Sequence, residues 1–128
     1  VFEMTKILVV DDDEQIRRML RLTFEREGFE VMEAGDGNGA LARYAEVPAD
    51  LVIMDIVMPE KEGIETIMDL RRRYGDVKII AISGGGRVNP EDYLRWARTF
   101  GVQHTFTKPV DRGELLAAVN ELLVGKAV

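Results

Sequence analysis

The sequence predicts an α/β domain: a doubly wound parallel sheet of five strands, made from five successive β-α units. Two observations carry this. Short apolar runs alternate with amphipathic stretches along the whole chain, and three of the runs are apolar at nearly every position, as strands buried on both faces are. Strict alternation implies right-handed crossovers and helices on both faces of the sheet. The length of 128 residues suits one domain.

The first strand is Ile7-Leu8-Val9-Val10, which stops at Asp11-Asp12-Asp13. A helix over 14–27 follows, with Ile16, Leu20 and Phe24 on one stripe and Gly28 as its C-terminal stop. Glu30-Val31-Met32-Glu33 is more polar and reads as an edge strand, followed by a helix over 38–46. Leu51-Val52-Ile53-Met54 stops at Asp55, and a helix covers 64–74. The run over 77–82 stops at Ser83, and a helix covers 91–100. Thr105-Phe106-Thr107 is a short last strand, better placed at an edge. The closing helix, 111–124, carries Leu115, Val119, Leu122 and Leu123 on one face, with Asp111 as N-cap and Glu114 three residues on. The three most apolar runs are the first, third and fourth; the common strand order 2-1-3-4-5 puts those three inside. The domain is expected over 5–124, with 1–4 as an N-terminal extension or remnant and 125–128 as a frayed end.

Composition narrows the function. There is no cysteine, which excludes a disulfide scaffold, a thiolate zinc site and a cysteine nucleophile. His104 is the only histidine, too few for a multi-histidine metal site. The net charge of −6 argues against direct nucleic-acid binding, which draws its affinity from neutralising phosphates. No apolar run approaches the ~18 residues of a membrane span and no signal peptide is evident, so a cytoplasmic domain without membrane insertion is expected.

In doubly wound sheets, ligands bind at the carboxyl ends of the strands, where the strand order reverses. Here those ends carry Asp11-Asp12-Asp13, Asp55, Ser83 and Lys108-Pro109. Clustered carboxylates repel one another and need a cation or a shifted protonation state. An all-oxygen site with room for water suits Mg²⁺, with Mn²⁺ as a substitute. A carboxylate nucleophile, a divalent cation, an ammonium and a hydroxyl together make a phosphoryl-transfer site. Asp13 reads as the cap of the first helix rather than as part of that site.

These blocks resemble the receiver domain of two-component response regulators, a flavodoxin-like fold. The resemblance rests on Leu8-Val9-Val10-Asp11-Asp12-Asp13, Asp55-Ile56-Val57-Met58-Pro59 with Gly63, Ser83 before Gly84, and Thr107-Lys108-Pro109, and covers about residues 5–124. It implies that Asp55 is the phosphoacceptor, taking a phosphoryl group from a phosphohistidine on a histidine kinase or histidine phosphotransfer protein. Asp12 would be a direct Mg²⁺ ligand, Asp11 would act largely through water, and Asp55 and the backbone carbonyl of Val57 would complete the protein ligands. Lys108 would hold a phosphoryl oxygen or pair with Asp55, Ser83 would sense the phosphoryl group, and the Lys108-Pro109 bond would be cis. Gln15, Ile16 and Met19 would meet the docking partner. The signal would pass through a surface built from the 91–100 helix, the last strand and the last helix to a downstream protein or an output domain. Such a protein is a switch that catalyses only its own phosphorylation and dephosphorylation.

Two departures stand out. The switch position that is often aromatic in the family holds Thr105, and the segment after Ser83 carries Gly84-Gly85-Gly86, a permissive loop expected to order on phosphorylation. Val57 offers no side chain to position a hydrolytic water, so slow dephosphorylation is expected.

Competing readings explain less. Gly35-x-Gly37-x-x-Ala40 with Asp55 fits a dinucleotide fingerprint, but follows an edge-like strand and leaves Asp11, Asp12, Ser83 and Lys108 unused. Arg71-Arg72-Arg73 reads as a solvated helix end. Tyr93, Trp96 and Phe100 divide between core and a partner surface. A degenerate receiver that only binds proteins is the alternative function.

Overall fold

In the computed structural model the described residues are 4–56, 62–83, 92, 95 and 98–123. The elements run β1 (Lys6–Val10), α1 (Glu14–Arg26), β2 (Glu30–Ala34), α2 (Gly37–Glu46), β3 (Leu51–Asp55), α3 (Glu62–Tyr74), β4 (Ile79–Ser83), β5 (His104–Thr107) and α4 (Arg112–Leu123). The backbone is also helical at 92, 95, 98 and 99. The strands form one sheet in the order β2-β1-β3-β4-β5, with every pair parallel. This is the doubly wound architecture expected from the alternation of apolar runs. The expectations for Val57, for Gly84-Gly85-Gly86, for Tyr93 and Trp96, and for 1–3 and 125–128 lie outside the described residues.

The two-residue period of a strand divides the core. Leu8, Val10, Val52, Met54, Ile79 and Ala81 face one side, with Ala40 and Tyr44 of α2 and Ile67 and Leu70 of α3. Ile7, Val9, Leu51, Ile53, Ile80 and Ile82 face the other, with Leu20 and Phe24 of α1 and Leu115 and Val119 of α4. Phe106 packs on this second side, as its position in the strand predicts.

The helix ends are set by local chemistry. Asp13 accepts from the backbone N–H groups of Gln15 and Ile16, at 2.8 and 3.3 Å, and so starts α1 where β1 stops. At the other end Gly28 has φ +89°, its N–H donates to the Glu25 carbonyl, and the Phe29 N–H donates to the Phe24 carbonyl. That is a Schellman motif, closed by an edge-on contact of Phe24 with Phe29. Asp111 accepts from the Glu114 N–H at 2.9 Å and caps α4.

The arginine run divides. Arg72 and Arg73 are exposed, as a solvated helix end requires, but Arg71 is not. Its guanidinium donates to the carbonyls of Phe100 (2.9 Å), Gly75 (3.2 Å), Val77 (2.5 Å) and Gly101 (2.6 Å), and burial lowers its pKa. It ties α3 to the turns before β4 and β5. This also explains why β4 starts at Ile79 rather than at Val77, whose N–H and carbonyl are committed to Gly75 and Arg71.

Gly63, in the first turn of α3, sits against the end of β3. A Cβ there would lie 2.4 Å from Ile56 Cα and 2.6 Å from the Asp55 carbonyl oxygen. Backbone cannot give way as a side chain can, so Gly63→Ala is expected to destabilise the protein by roughly 1–3 kcal/mol. Urea unfolding measures this; a loss of only a few tenths would mean that the start of α3 does not pack this closely.

Candidate functional site

Three strand ends and one following loop meet at the carboxyl edge of the sheet. Asp11 follows β1 directly, and its N–H donates to the Ala34 carbonyl at 3.2 Å. Asp55 closes β3, paired in register with Ile82. Ser83 closes β4, and its carbonyl accepts from the Lys108 N–H at 2.8 Å. That bond fixes where the lysine leaves β5, and the Lys108-Pro109 bond is cis as expected.

Asp11 and Asp55 are buried, at 2% and 3% exposure, while Asp12 is exposed. One oxygen from each of the three carboxylates lies within 4.8 Å of the others. At that separation two full charges repel by about 3–4 kcal/mol at an effective dielectric near 20. Lys108 offsets part of this: its Nζ donates to Asp11 Oδ2 at 3.1 Å and to Asp55 Oδ2 at 3.3 Å. Burial pulls the Lys108 pKa down, but the charges of Asp55 and Asp11 outweigh it and hold the pKa above the ordinary lysine value. The ammonium therefore stays charged. Asp11 Oδ1 also accepts from the Asp13 N–H at 2.9 Å, which orients its carboxylate.

One ammonium against three carboxylates leaves a net negative cluster of hard oxygen donors, half buried and half open through Asp12. That donor set fits a divalent cation with oxygen preference.

Ser83 has a different character. It is fully buried, and its hydroxyl has no hydrogen-bond partner among the described residues. Strand alternation puts it on the α2–α3 side of the sheet, opposite in parity to Asp55. Thr105 pairs in register with Ala81 and so shares the face of Ser83. His104 is at the far end of β5 from Lys108 and pairs with Glu121 of α4 at 3.6 Å. Gln15 and Met19 are exposed on α1, and Ile16 is half-buried. Ile16, Met19 and Leu20 line an apolar groove with Pro109 and Val110 that ends at Lys108. The dinucleotide reading fails on geometry: β2 is the edge strand, and Asp36 accepts from the Gly39 N–H at 2.7 Å as the cap of α2.

The sequence matches the response regulator receiver domain over residues 7–120. The chain belongs to that family. It is therefore a phosphoacceptor domain of two-component signalling and a phosphorylation-dependent switch. It is 34% identical over 119 residues to the transcriptional regulatory protein ResD of Bacillus subtilis, a match covering 93% of this chain and 48% of ResD. The chain thus spans about half the length of that relative. Among solved structures it resembles the chemotaxis protein CheY4 of Vibrio cholerae, with 30% identity, a TM-score of 0.83, and coverage of 94% of this chain and 100% of CheY4. It also resembles a receiver in the CheX-CheY-BeF3-Mg complex of Borrelia burgdorferi, with 27% identity, a TM-score of 0.82, and coverage of 93% and 89%. No helix among the described residues is long and apolar enough to cross a membrane.

The structure brings Asp11, Asp12, Asp55 and Lys108 together; sequence reasoning missed Arg17, whose guanidinium donates to the Asp11 carbonyl at 2.7 Å. The available signal was its position. A cation just inside a helix N-terminus opposes the helix dipole and needs another reason to be there.

A buried hydroxyl with no partner carries a desolvation cost of ~1–3 kcal/mol. Ser83→Ala removes that cost, so the unphosphorylated protein is expected to keep its stability or gain up to about 1 kcal/mol in urea unfolding. A loss of more than about 1 kcal/mol would show that the hydroxyl is bonded after all.

Proposed function

We propose that Asp55 is the phosphoacceptor and that Asp11, Asp12, Asp55 and the backbone carbonyl of Val57 hold Mg²⁺, for which Mn²⁺ can substitute. The observation that carries this is the Lys108 ammonium bridging Asp11 and Asp55, with the exposed Asp12 carboxylate beside them. The BeF3 and Mg²⁺ of the Borrelia complex support the same reading of this acid cluster. When bound, the cation supplies charge neutralisation for the incoming phosphoryl oxygens.

The chain's own groups do the rest. An Asp55 carboxylate oxygen attacks the phosphorus of a phosphohistidine; the new O–P bond forms as the N–P bond breaks, and the imidazole leaves with the electron pair. Lys108 exchanges its contact with Asp55 for a phosphoryl oxygen, holding the charge that the carboxylate loses. Ser83 turns its buried hydroxyl toward the phosphoryl group, and Thr105, on the same face of the sheet, transmits the change. Because a small hydroxyl side chain replaces an aromatic at Thr105, the coupling runs through hydrogen bonding and local packing rather than ring rotation.

The donor is a histidine kinase or a histidine phosphotransfer protein in the cytoplasm. It docks over α1, meeting Gln15, Ile16 and Met19 beside the apolar groove that leads to Lys108. The receiver unit spans 5–124, and its output is a downstream protein or an attached output domain. It catalyses only the gain and loss of its own phosphoryl group, and loses it slowly.

Intact-mass spectrometry after incubation with acetyl phosphate tests this. One phosphoryl adduct is expected in the presence of Mg²⁺, none with chelator, and none with Asp55→Asn. Failure of the wild type to form the adduct, repeated with phosphoramidate, would instead favour a degenerate receiver that acts only through protein binding.

A further inference from the structure

Arg17 takes no part in the chemistry above, yet it is bonded directly to the site's backbone. It lies one turn into α1, with its side chain 19% exposed. Nη1 donates to the Asp11 carbonyl at 2.7 Å, and Nε donates to Glu33 Oε1 at 3.3 Å. Glu33 is on the edge strand β2, and its second oxygen accepts from Arg21 Nη1 at 2.7 Å. Arg21 in turn pairs with Glu25 at 3.4 Å, so the two arginines and two glutamates balance in charge. Gly35 leaves room for the arrangement: a Cβ there would come within 3.3 Å of Arg17 Nη1. The glycine that suggested a nucleotide fingerprint thus has a different use.

The position of these bonds matters more than their number. The Asp11 carbonyl belongs to the peptide unit that joins Asp11 to Asp12. The N–H of Asp11 is tied to the Ala34 carbonyl on β2, and its carbonyl is tied to Arg17. The chain is therefore held on both sides of the Asp11 Cα just where two carboxylates must converge against their mutual repulsion. Without Arg17 that carbonyl loses its hydrogen bond, and the peptide is free to rotate, taking Asp12 out of reach of Asp55. Since Glu33 neutralises the guanidinium, Arg17 can do this without setting an unpaired positive charge beside a cation site.

We propose that Arg17 is a positioning residue for the divalent-cation site, orienting the Asp11-Asp12 peptide, with Glu33 holding the guanidinium in place. This rests on the reading of Asp11, Asp12 and Asp55 as that site. Groups one layer behind metal ligands commonly govern affinity by about 10–100-fold.

The test is calorimetric titration of the whole chain with Mg²⁺, for the wild type, Arg17→Met, Arg17→Lys and Glu33→Gln, with the Asp13 amide followed by NMR in metal-free protein. Arg17→Met keeps the side-chain stem and loses the donors. It is expected to weaken Mg²⁺ binding by about tenfold. Asp13, whose N–H depends on the Asp11 carboxylate, is expected to shift and exchange faster even without metal. Arg17→Lys retains one donor and recovers part of the affinity. Glu33→Gln produces a smaller loss, and adding it to Arg17→Met brings little further loss, because both act through one contact. At saturating Mg²⁺ the phosphorylation rate of Arg17→Met with acetyl phosphate returns to within about twofold of wild type, since ligand orientation and not chemistry is altered. Wild-type affinity in Arg17→Met overturns the inference while leaving the cation site standing. If Arg17→Met does not fold, unchanged affinity in Glu33→Gln overturns it. If the wild type itself binds no Mg²⁺, the cation reading falls and this inference falls with it.

Discussion

The half-buried ammonium of Lys108 between Asp11 and Asp55 is the constraint on which the rest of the structure depends. Two carboxylates at 2% and 3% exposure cannot share the edge of an apolar sheet uncompensated. The lysine makes the arrangement tolerable without completing it, because Asp12 adds a third negative charge and has no cationic partner of its own among the described residues. The site is thus stable enough to fold and still short of positive charge. That residual deficit is the basis of the affinity proposed for a cation and, through the cation, for a phosphoryl group.

The fold can be understood as the means of holding these charges at the right distance. Parallel pairing of β1 with β3 sets Asp11 and Asp55 on adjacent strand ends, and pairing of β4 with β5 delivers Lys108 to them through the Ser83 carbonyl. Close packing of Gly63 on the end of β3 keeps α3 near Asp55, while the Asp13 cap turns the chain into α1 immediately after the acids. The same edge holds both the proposed phosphoacceptor and the proposed sensor for it: Ser83 is one residue beyond the register partner of Asp55, but on the other face of the sheet. A phosphoryl group on Asp55 that engages Ser83 therefore links the two sides of the domain.

Much of this was legible in the sequence because it rests on patterns with short periods. Continuous apolar runs marked β1, β3 and β4 as interior strands, and Asp13, Gly28 and Asp111 marked helix ends. The acids, Ser83 and Lys108 were found because strand ends on one edge of a parallel sheet must be neighbours. What was not legible depends on contacts between distant side chains. Arg71 looked like its exposed neighbours until the turns at Gly75 and Gly101 folded onto it. Arg17 and Glu33 are 16 residues apart and their pairing needs β2 to lie beside α1. Ser83 could be read as a hydroxyl at a strand end, but not as one buried without a partner among the described residues, since that is set by the three-dimensional packing around it.

The central claim is that the acid cluster is held short of positive charge and that a divalent cation relieves it. Urea unfolding with and without Mg²⁺ tests this most directly, because a ligand that binds only the folded state stabilises it in proportion to its occupancy. At about a hundredfold excess over the dissociation constant, the wild type should gain about 2.7 kcal/mol. Asp12→Asn, which removes an exposed carboxylate and leaves the buried pair intact, should gain far less. No gain in the wild type, or an equal gain in Asp12→Asn, would contradict the account.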